Sequence, residues 1–577
     1  MPETMFYEKI ESIGDYINEC LERYKDNNFL YDLDEEDIIG PLTYKEVRDR
    51  IEGIKSLLAK NEIKPGDKIA LLGQNSPNWA IIYLAVVTYG AIIVPILSEF
   101  DSTSISNIIN MSDSRILFVS SSLLDKIEES SLPRLERIYM IDDFKEIEVE
   151  KVKNIRLQIK NKLYNFKERL NQFLAEYVHR AVARPTDIHT FKPDDIASIV
   201  YTSGTTGNSK GVMLTHKNLF WNILAALDYI EINNKDRFLS ILPSAHVYEL
   251  TFTLLLSMVG GASVYYLRQK PSPKVLMKAF EKIKPTMVMM VPLVMEKIYK
   301  KSILPKLEGN LLLKNAIKIP SIRRMVYKKA SRSLLEALGG NIKIICIGGA
   351  PLSPDVDLFL LEGGFPSAVG YGMTECAPLI TFAMPDKKKF LSCGYPIKGA
   401  QLKIDNPDPT TGVGEVLVKG PMVTKGYYKN ELETKRLFTE DGWMRTGDLG
   451  YLDKDNYLYL KGRSKNVLLG SNGENIYPEE IEQLLTQDRG IIETLVLEKD
   501  GRLIAYIYPD LEYLNSELKL LDIEPKLATK KIEGYFNNLI KETNKKLPSF
   551  SQLKGFKIID QEFEKTPTQK IKRYLYT

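Results

Sequence analysis

The chain has 577 residues, which is too long for a single hydrophobic core, because domains usually hold about 100–200 residues. Its 78 basic and 75 acidic residues leave a net charge of +3, so nothing in the overall charge favours a nucleic-acid partner. The four cysteines show no C-x-x-C spacing, and we expect reduced thiols, a cytoplasmic location and no cysteine-bound metal.

The first 120 residues alternate short apolar runs with helical patterns. Residues 1–40 carry many charges and little pattern, and then Thr43 and Glu46 form a capping box that opens a helix ending near Ala59. The further predicted elements are strands at 68–72, 91–95 and 115–119 and helices at 75–90 and 104–111. Strands and helices that alternate at this spacing predict a mostly parallel sheet with helices on its faces.

Three stretches bear on contact with a membrane. Residues 79–97 are strongly apolar but contain Gly90 and Pro95, so we predict a buried helix and strand there and not a spanning helix, which needs about 20 apolar residues. Residues 151–182 repeat apolar side chains at steps of three and four and carry many lysines, which predicts a basic amphipathic helix. This helix either packs on the protein with a solvated basic face or lies on a membrane surface. The basic stretch 314–332 leaves the same two alternatives.

A loop rich in hydroxyl groups and glycines follows a predicted buried strand at 196–200. Residues 201–211 read Tyr-Thr-Ser-Gly-Thr-Thr-Gly-Asn-Ser-Lys-Gly, and a helix is predicted from Lys217. Glycines let the backbone approach a ligand, successive N–H groups form a concave anion site, and Lys210 adds a positive charge. The loop therefore predicts a polyphosphate site. Its spacing differs from the Walker pattern, which disfavours an ordinary P-loop kinase or GTPase.

Two later segments place candidate ligand groups directly after predicted strands. His246 follows an apolar strand, at a position where a histidine can line a pocket. The apolar helix predicted at 250–259 either lines a tunnel or packs in the core. Gly348 and Gly349 follow a predicted strand at 342–347 and allow a flat ring to lie against the backbone.

A second group of residues suits a nucleotide. Tyr371 can stack on a purine, Thr374 can donate to a phosphate, and Glu375 offers a carboxylate oxygen to Mg²⁺, which binds carboxylates together with phosphate oxygens. Asp448 lies in a predicted small β unit at about 394–460 and can accept hydrogen bonds from both hydroxyls of a ribose.

Together these motifs closely resemble those of the adenylate-forming, or AMP-binding, enzymes, which include acyl-CoA synthetases, luciferases and the adenylation domains of peptide synthetases. The resemblance runs from about residue 40 to the end of the chain, and its motifs include Gly-Gly-Ala-Pro at 348–351, Tyr-Gly-Met-Thr-Glu at 371–375 and Thr-Gly-Asp at 446–448. One departure is Ser209, which stands where the family usually has proline. Within the family the motifs look most like those of long-chain fatty acid–CoA ligases.

The resemblance implies an α/β fold in two parts. The first part is an N-terminal AMP-binding domain at 1–463, built from two α/β subdomains and the small β unit. The second is a small mobile α+β domain at 464–577, with Lys465 at the hinge between the two.

The resemblance also implies the roles of individual residues. The implied catalytic residues are Lys570, Thr374, Glu375 and His246, and Glu375 is also the implied Mg²⁺ ligand. The implied ATP contacts are Thr202, Ser203, Gly204, Thr205, Thr206, Gly207, Lys210, Gly349, Ala350, Tyr371, Gly372, Thr374, Asp448, Arg463 and Lys570. The region expected to approach coenzyme A holds Ser471, Asn472, Gly473 and Glu474.

The implied reaction is Mg²⁺- and ATP-dependent activation of a long-chain fatty acid to acyl-AMP, followed by transfer to coenzyme A. The implied partners are these substrates and a peripheral membrane contact, without nucleic acid. One alternative is a ligase that loads the acid onto acyl carrier protein. Two others are a nucleotide-binding membrane scaffold without catalysis and a luciferase-like monooxygenase, both using the same nucleotide site.

Overall fold

The computed structural model describes residues 7, 9–34, 37–127, 132–147, 190–202, 209–269, 271–309, 311–469, 474–520, 523–566 and 571–576. The helix predicted at 151–182 lies outside these residues, so both of its alternatives stay predictions. Within the described residues, no helix has the length and apolar character needed to cross a bilayer.

The first of two large sheets is built mostly from the N-terminal part of the chain. Its strands are β3 (Lys68–Leu72), β4 (Ile92–Ile96), β5 (Ser114–Val119), β6 (Arg137–Met140), β7 (Glu146–Ile147), β8 (Ile196–Thr202) and β9 (Lys210–Thr215). They are ordered β7-β6-β5-β3-β4-β8-β9 and run parallel except for the two edge strands. The predicted parallel sheet is therefore confirmed.

The helices that accompany this sheet begin and end within two residues of their predicted bounds. They are α2 (Tyr44–Lys60), α3 (Pro77–Tyr89) and α4 (Ser102–Ser112). The capping box is present, because the Thr43 backbone N–H donates to Glu46 Oε2 at 2.7 Å and the Glu46 N–H donates to Thr43 Oγ1 at 3.2 Å. Gly90 ends α3 with a φ of 88°, a backbone conformation that favours glycine.

The second large sheet combines the N-terminus with the middle of the chain. Its strands are β1 (Asn28–Asp34), β2 (Asp37–Thr43), β10 (Arg237–Ser240), β11 (Ser263–Leu267), β12 (Met287–Met290), β13 (Ile344–Ile347), β14 (Ser367–Gly372), β15 (Leu379–Ala383) and β16 (Tyr395–Pro396). The order is β16-β15-β14-β13-β12-β10-β11-β1-β2, and the strands from β14 to β1 are parallel. Because parallel strands end at one edge of a sheet, the segments after β10, β13 and β14 meet there.

The interpretation of residues 1–40 as a stretch with little pattern is wrong. Helix α1 (Ile13–Arg23) and strand β1 are both built from this region, and Phe29 and Leu30 are fully buried. The Tyr16 hydroxyl donates to the carbonyl of Leu255 at 2.7 Å. These residues are ordered by partners more than 200 positions away, so a local pattern does not reveal them.

A second difference concerns the glycine-rich loop. The sequence predicts a strand, a loop and then a helix, whereas β8 and β9 form an antiparallel hairpin whose tip is the loop. The helix that follows is α5 (His216–Leu227), and its start agrees with the predicted one to within a residue. The loop therefore joins two strands.

The remaining helices of this part surround the second sheet. They are α6 (Val247–Glu249), α7 (Pro273–Ile283), α8 (Pro292–Ile298), α9 (Leu304–Glu308), α10 (Leu311–Ala316), α11 (Pro320–Ala337) and α12 (Pro354–Glu362). The chain after α6 stays helical to Gly260, with a π-helical turn at Leu250–Leu255 and a 3-10 turn at Met258–Gly260, so the apolar helix predicted at 250–259 is confirmed.

The small β unit predicted at about 394–460 is an antiparallel four-stranded sheet. Its strands are β17 (Gln401–Asp405), β18 (Gly414–Lys419), β19 (Met444–Leu452) and β20 (Leu458–Arg463), in chain order, and α13 (Glu431–Leu437) lies between β18 and β19 in the chain. Strands β19 and β20 place Asp448 opposite Arg463.

The last part of the chain has a hydrophobic cluster of its own. Its elements are β21 (Leu468–Leu469), β22 (Asn475–Ile476), α14 (Pro478–Leu485), β23 (Ile491–Lys499), β24 (Arg502–Pro509), α15 (Leu511–Leu518), α16 (Pro525–Asn544) and β25 (Gly555–Ile558). Leu485 and Phe536 lie at the centre of this cluster. The predicted α+β character is confirmed, while the exact boundary at 463/464 stays a prediction.

Candidate active site

One large cavity, of about 3040 Å³, opens where the carboxyl ends of β10, β13 and β14 face the small β unit and α14. Its lining includes twelve of the residues that the sequence assigns to the site, namely Thr202, Lys210, His246, Gly349, Ala350, Tyr371, Gly372, Thr374, Glu375, Asp448, Arg463 and Lys465. The chain therefore brings together most of the described candidates. The remaining described candidate, Glu474, is not part of this lining.

The other candidates lie outside the described residues. They are Ser203, Gly204, Thr205, Thr206 and Gly207 of the loop, Ser471, Asn472 and Gly473, and Lys570. Their assignments stay predictions. The ends of the loop, Thr202 and Lys210, are described and pair across the hairpin.

Asp448 is the centre of a buried polar clamp. Its Oδ1 lies 2.7 Å from Nε of Arg463, and the Tyr371 hydroxyl donates to its Oδ2 at 2.6 Å. The Asp448 N–H donates to Thr446 Oγ1 at 3.1 Å, which fixes the backbone. Burial, with the nearby Asp448 carboxylate, raises the pKa of Tyr371 well above its ordinary value, so the phenol stays a donor. The clamp holds a carboxylate in one orientation beside an aromatic ring.

Glu375 lies in a single turn directly after β14. Its Oε1 accepts a hydrogen bond from the Tyr427 hydroxyl at 2.8 Å, and its carbonyl accepts one from the Thr424 N–H at 2.8 Å. The described residues contain no cluster of three or more His, Cys, Asp or Glu side chains for a metal. A single carboxylate fits Mg²⁺ when phosphate oxygens and waters supply the other ligands.

Lys210 forms an ion pair with Glu433 of α13, and its ammonium lies 5.1 Å from the centroid of the Tyr427 ring. Nη1 of Arg436 donates to the other oxygen of Glu433 at 2.7 Å. Tyr427 therefore contacts the loop lysine with its ring and Glu375 with its hydroxyl. No sequence motif marks Tyr427, Glu433 or Arg436, because their roles depend on partners distant in the chain.

The glycines after β13 allow close packing at the sheet edge. A Cβ at Gly348 would lie 3.1 Å from the carbonyl oxygen of Gly370, and Gly349 has a φ of 91°. The Tyr248 hydroxyl donates to the carbonyl of Cys346 at 2.9 Å, so the end of β13 is held in place. Gly348 and Gly349 line the cavity together with Tyr371, and because they lack side chains a planar ring could lie against their backbone.

His246 caps the N-terminus of α6. Its Nδ1 accepts a hydrogen bond from the Tyr248 N–H at 3.2 Å, which places the proton of the neutral ring on Nε2. The loop before it is held by Asn75, whose Nδ2 donates to the Leu242 carbonyl at 2.6 Å and whose Oδ1 accepts from the Ser244 N–H at 2.7 Å. The sequence marks Asn75 only as the start of a predicted helix and carries no local signal of these hydrogen bonds.

Apolar side chains line another part of the same cavity. They are Ala226, Tyr229, Ile230, Phe252, Leu256, Leu379 and Phe382. The apolar segment at 250–259 packs in the core, and two of its core residues, Phe252 and Leu256, also line the cavity, while its role in a tunnel stays a prediction. One cavity thus joins a polar region suited to a nucleotide with an apolar wall.

Comparisons with known proteins agree with this geometry. Residues 18–428 match the AMP-binding enzyme family. The chain is 29% identical to long-chain-fatty-acid–CoA ligase 6 of Mus musculus, over 92% of this chain and 80% of that protein. It is also 28% identical to the chloroplastic long-chain-fatty-acid–[acyl-carrier-protein] ligase AEE15 of Arabidopsis thaliana, over 92% and 80%.

A solved structure shares the fold. The o-succinylbenzoate coenzyme A synthetase of Bacillus subtilis, in complex with ATP and magnesium ion, superposes with a TM-score of 0.72 at 22% identity, covering 97% of this chain and 98% of that one. The predicted mixed α/β fold is confirmed by this similarity.

Proposed function

The chain belongs to the AMP-binding enzyme family, and on this premise we propose that it converts a long-chain fatty acid, ATP and coenzyme A into acyl-CoA, AMP and pyrophosphate. The observation that carries the proposal is the single cavity in which Asp448, Glu375 and Lys210 lie together with an apolar wall. The names of the relatives at 28–29% identity supply the class of acid.

In the first half-reaction, an oxygen of the fatty acid carboxylate attacks the α-phosphorus of ATP, and pyrophosphate leaves. Asp448 accepts hydrogen bonds from the ribose, while Tyr371 and the Gly349 backbone enclose the adenine. The loop from Thr202 to Lys210 holds the β- and γ-phosphates. Glu375 would hold Mg²⁺, which would supply positive charge against the negative charge that develops on the phosphates.

Two further residues face the carboxylate in this proposal. We propose that the ammonium of Lys570 stabilises the negative charge that the carboxylate and the α-phosphate share. His246 presents Nε2–H from the end of β10, where it can donate to the carboxylate. A nucleophilic side chain is not required, because the substrate carboxylate is itself the nucleophile.

In the second half-reaction, the thiol of coenzyme A attacks the acyl carbon of acyl-AMP, and AMP leaves. We propose that the C-terminal domain at 464–577 rotates about Lys465 for this step. The rotation removes Lys570 and brings the segment from Ser471 to Glu474 to the cavity. This is a hinge-type change between two arrangements of the same two domains.

Lys570→Ala tests the assignment of the two steps. We expect the variant to lose acid-dependent pyrophosphate release by about 100-fold or more while it still transfers pre-made acyl-AMP to coenzyme A. Lys554→Ala, which changes an exposed lysine of the same domain, serves as the control and should retain both steps. Equal loss of both half-reactions in a folded Lys570→Ala variant would refute the assignment.

Acyl carrier protein as the acceptor is the alternative to coenzyme A. The similarity to the Arabidopsis ligase for acyl carrier protein supports this alternative. The adenylation step would be the same, and only the thiol would differ. Turnover with coenzyme A against turnover with a phosphopantetheinylated carrier protein distinguishes the two acceptors.

We also propose a peripheral membrane contact through α10 and α11. Residues 311–337 hold seven Lys and Arg side chains and one acidic residue, Glu336. Leu312, Ile319 and Met325 expose apolar side chains in the same region. Basic helices with exposed apolar side chains suit the anionic surface of a bilayer, where a fatty acid substrate is concentrated.

Vesicle sedimentation tests this contact. We expect the full chain to bind vesicles that contain phosphatidylglycerol more tightly than pure phosphatidylcholine, and Ile319→Ser combined with Met325→Ser to weaken that binding. Leu511→Ser combined with Leu527→Ser removes exposed apolar side chains elsewhere and is the matched control. Equal binding of both double variants would contradict the contact.

A further inference from the structure

The loop lysine has an anionic partner within the protein itself. Lys210 forms an ion pair with Glu433, and both side chains are only partly exposed at the wall of the cavity. The two residues lie 223 positions apart, so the pair is a product of the fold. A polyphosphate that approaches Lys210 therefore meets a carboxylate that competes with it.

Glu433 is shared between two cations. Arg436, one turn further along α13, donates to Glu433 Oε1 at 2.7 Å, while Lys210 contacts Oε2. The Lys210 ammonium and the Arg436 guanidinium together lower the pKa of Glu433 below its ordinary value, so this carboxyl is ionised at neutral pH. If Lys210 leaves, Arg436 remains as a counter-ion.

Tyr427 gives Lys210 a second contact that does not depend on Glu433. The ammonium lies 5.1 Å from the centroid of its ring, within the range of a cation–π interaction. The hydroxyl of the same tyrosine donates to Glu375 at 2.8 Å. Lys210 can therefore exchange its anionic partner while it stays beside the carboxylate assigned to Mg²⁺.

We propose that Glu433 is the counter-ion that Lys210 exchanges for the polyphosphate of ATP, and that Arg436 stabilises the carboxylate that Lys210 leaves. This inference rests on the proposed function, because it takes Lys210 as a phosphate contact. Glu433 and Arg436 are then positioning residues with opposite effects on ATP affinity. Glu433 opposes binding of the polyphosphate, and Arg436 favours it.

The proposal predicts that substitutions of Glu433 and Arg436 change the dissociation constant for MgATP in opposite directions. Glu433→Gln removes the competing charge, so the dissociation constant for MgATP should fall about two- to five-fold, the range of a partly exposed ion pair. Arg436→Ala leaves Lys210 as the remaining close cation on Glu433, so the constant should rise by a similar factor. In the double variant the effect of Arg436→Ala should disappear, because Glu433 no longer carries a charge.

The experiment measures equilibrium binding of MgATP and of AMP to the full chain and its variants. AMP has no β- or γ-phosphate, so its affinity should stay unchanged in every variant. Glu431→Gln removes an exposed acid from the same first turn of α13 and should leave ATP binding unchanged.

Three outcomes would overturn the proposal. These are an unchanged or weaker MgATP affinity in Glu433→Gln, parallel shifts for ATP and AMP, and an effect of Arg436→Ala that persists in the double variant. A wild-type chain that binds MgATP no more tightly than AMP would also refute it, without contradicting the site for adenine and ribose. A wild-type chain that binds neither nucleotide would refute the proposed function itself.

Discussion

Two regions beside the cavity bury carboxyl groups in opposite ways. In the nucleotide region, Asp448 is 7% exposed and Glu375 is 8% exposed, and both accept hydrogen bonds from tyrosine hydroxyls. After the His246 loop, Glu249 is 1% exposed, and among the described residues neither of its oxygens has a hydrogen-bond partner in good geometry, although polar groups of Ser240 and Thr253 lie close by. Glu375 and Glu249 come after the carboxyl ends of β14 and β10. Asp448 lies in the small β unit that faces those ends.

The two regions differ in the hydrogen-bond donors that they supply to the buried carboxyl groups. Donors hold the first two carboxylates in fixed orientations, in which they can bind a sugar or a metal ion. Burial raises the pKa of Glu249 to about 8, and the weak contacts with the hydroxyls of Ser240 and Thr253 and with the backbone N–H groups of residues 241 and 242 lower it only in part. Glu249 is therefore mainly protonated at pH 7 and acts as a neutral group within the core. Burial alone does not distinguish a ligand-binding carboxylate, whereas its hydrogen-bond donors do.

The largest effect on catalysis should come from Glu375→Gln, which removes the carboxylate charge of Glu375 while it keeps the shape of the side chain. We expect kcat for acyl-AMP formation to fall about 10²–10³-fold, because charge on the phosphates is no longer neutralised by bound Mg²⁺. A Mg²⁺ titration checks the cause, since the variant should need more Mg²⁺. A variant with normal kcat and the same Mg²⁺ requirement would show that Glu375 is not the metal ligand.

Asp448→Ala should have a somewhat smaller effect. It removes the partner of Arg463 and Tyr371 together with the proposed ribose acceptor, and hydrogen bonds to charged groups contribute about 1.5–3 kcal/mol. We expect kcat/KM for ATP to fall about 10- to 150-fold, mainly through a higher KM. Comparing ATP with 2′-deoxy-ATP tests the ribose contact, because the variant should discriminate less between them than the wild type does.

Tyr371→Phe should have a small effect on the same region. The ring stays in place, while one hydrogen bond of 2.6 Å to Asp448 is lost. We expect the KM for ATP to rise about two- to ten-fold and kcat to change little. A loss as large as that of Asp448→Ala would mean that the hydroxyl, and not the ring, is the main contribution of Tyr371.

Glu249→Gln should have the smallest effect on catalysis. Its effect on the free energy of unfolding should depend on pH. The folded pKa of Glu249, about 8, lies above the ordinary value of 4.5, so the folded state binds this proton more tightly than the unfolded state does. The resulting stabilisation is complete below about pH 4.5 and is lost as the pH rises through about 8, at up to about 1.4 kcal/mol per pH unit.

Thermal unfolding across this pH window measures the effect. The melting temperature of the wild type should fall relative to that of Glu249→Gln as the pH rises from about 5 to 8. Parallel curves for the two proteins would show that Glu249 titrates as an ordinary carboxyl.

The sequence predicts those features that are determined locally. The capping box at Thr43, the helix end at Gly90 and the order of motifs after the strands all depend on neighbours in the chain, and the structure confirms the first two. Of the twelve predicted residues around the cavity, the seven from His246 to Glu375 come together because the parallel strands β10, β13 and β14 end at a common edge, whereas the other five come from the β8–β9 hairpin and the region of the small β unit.

The features that the sequence did not predict depend on distant contacts. Strand β1 pairs with β11, more than 200 residues later, and Lys210 meets Glu433 only after both sheets and the β unit have assembled. No local motif marks Tyr427, which follows a glycine, and its role depends on contacts with Glu375 and Lys210. Patterns with periods of two or 3.6 residues carry no information on such pairs.

The measurement that tests the proposed function most directly is acid-dependent release of AMP from ATP. Palmitate, octanoate and acetate are each offered with and without coenzyme A. The account predicts rapid formation of AMP and acyl-CoA with palmitate and little with acetate. Adenylate formation without coenzyme A turnover would instead favour acyl carrier protein as the acceptor, and no AMP with any of the three acids would contradict the proposed function.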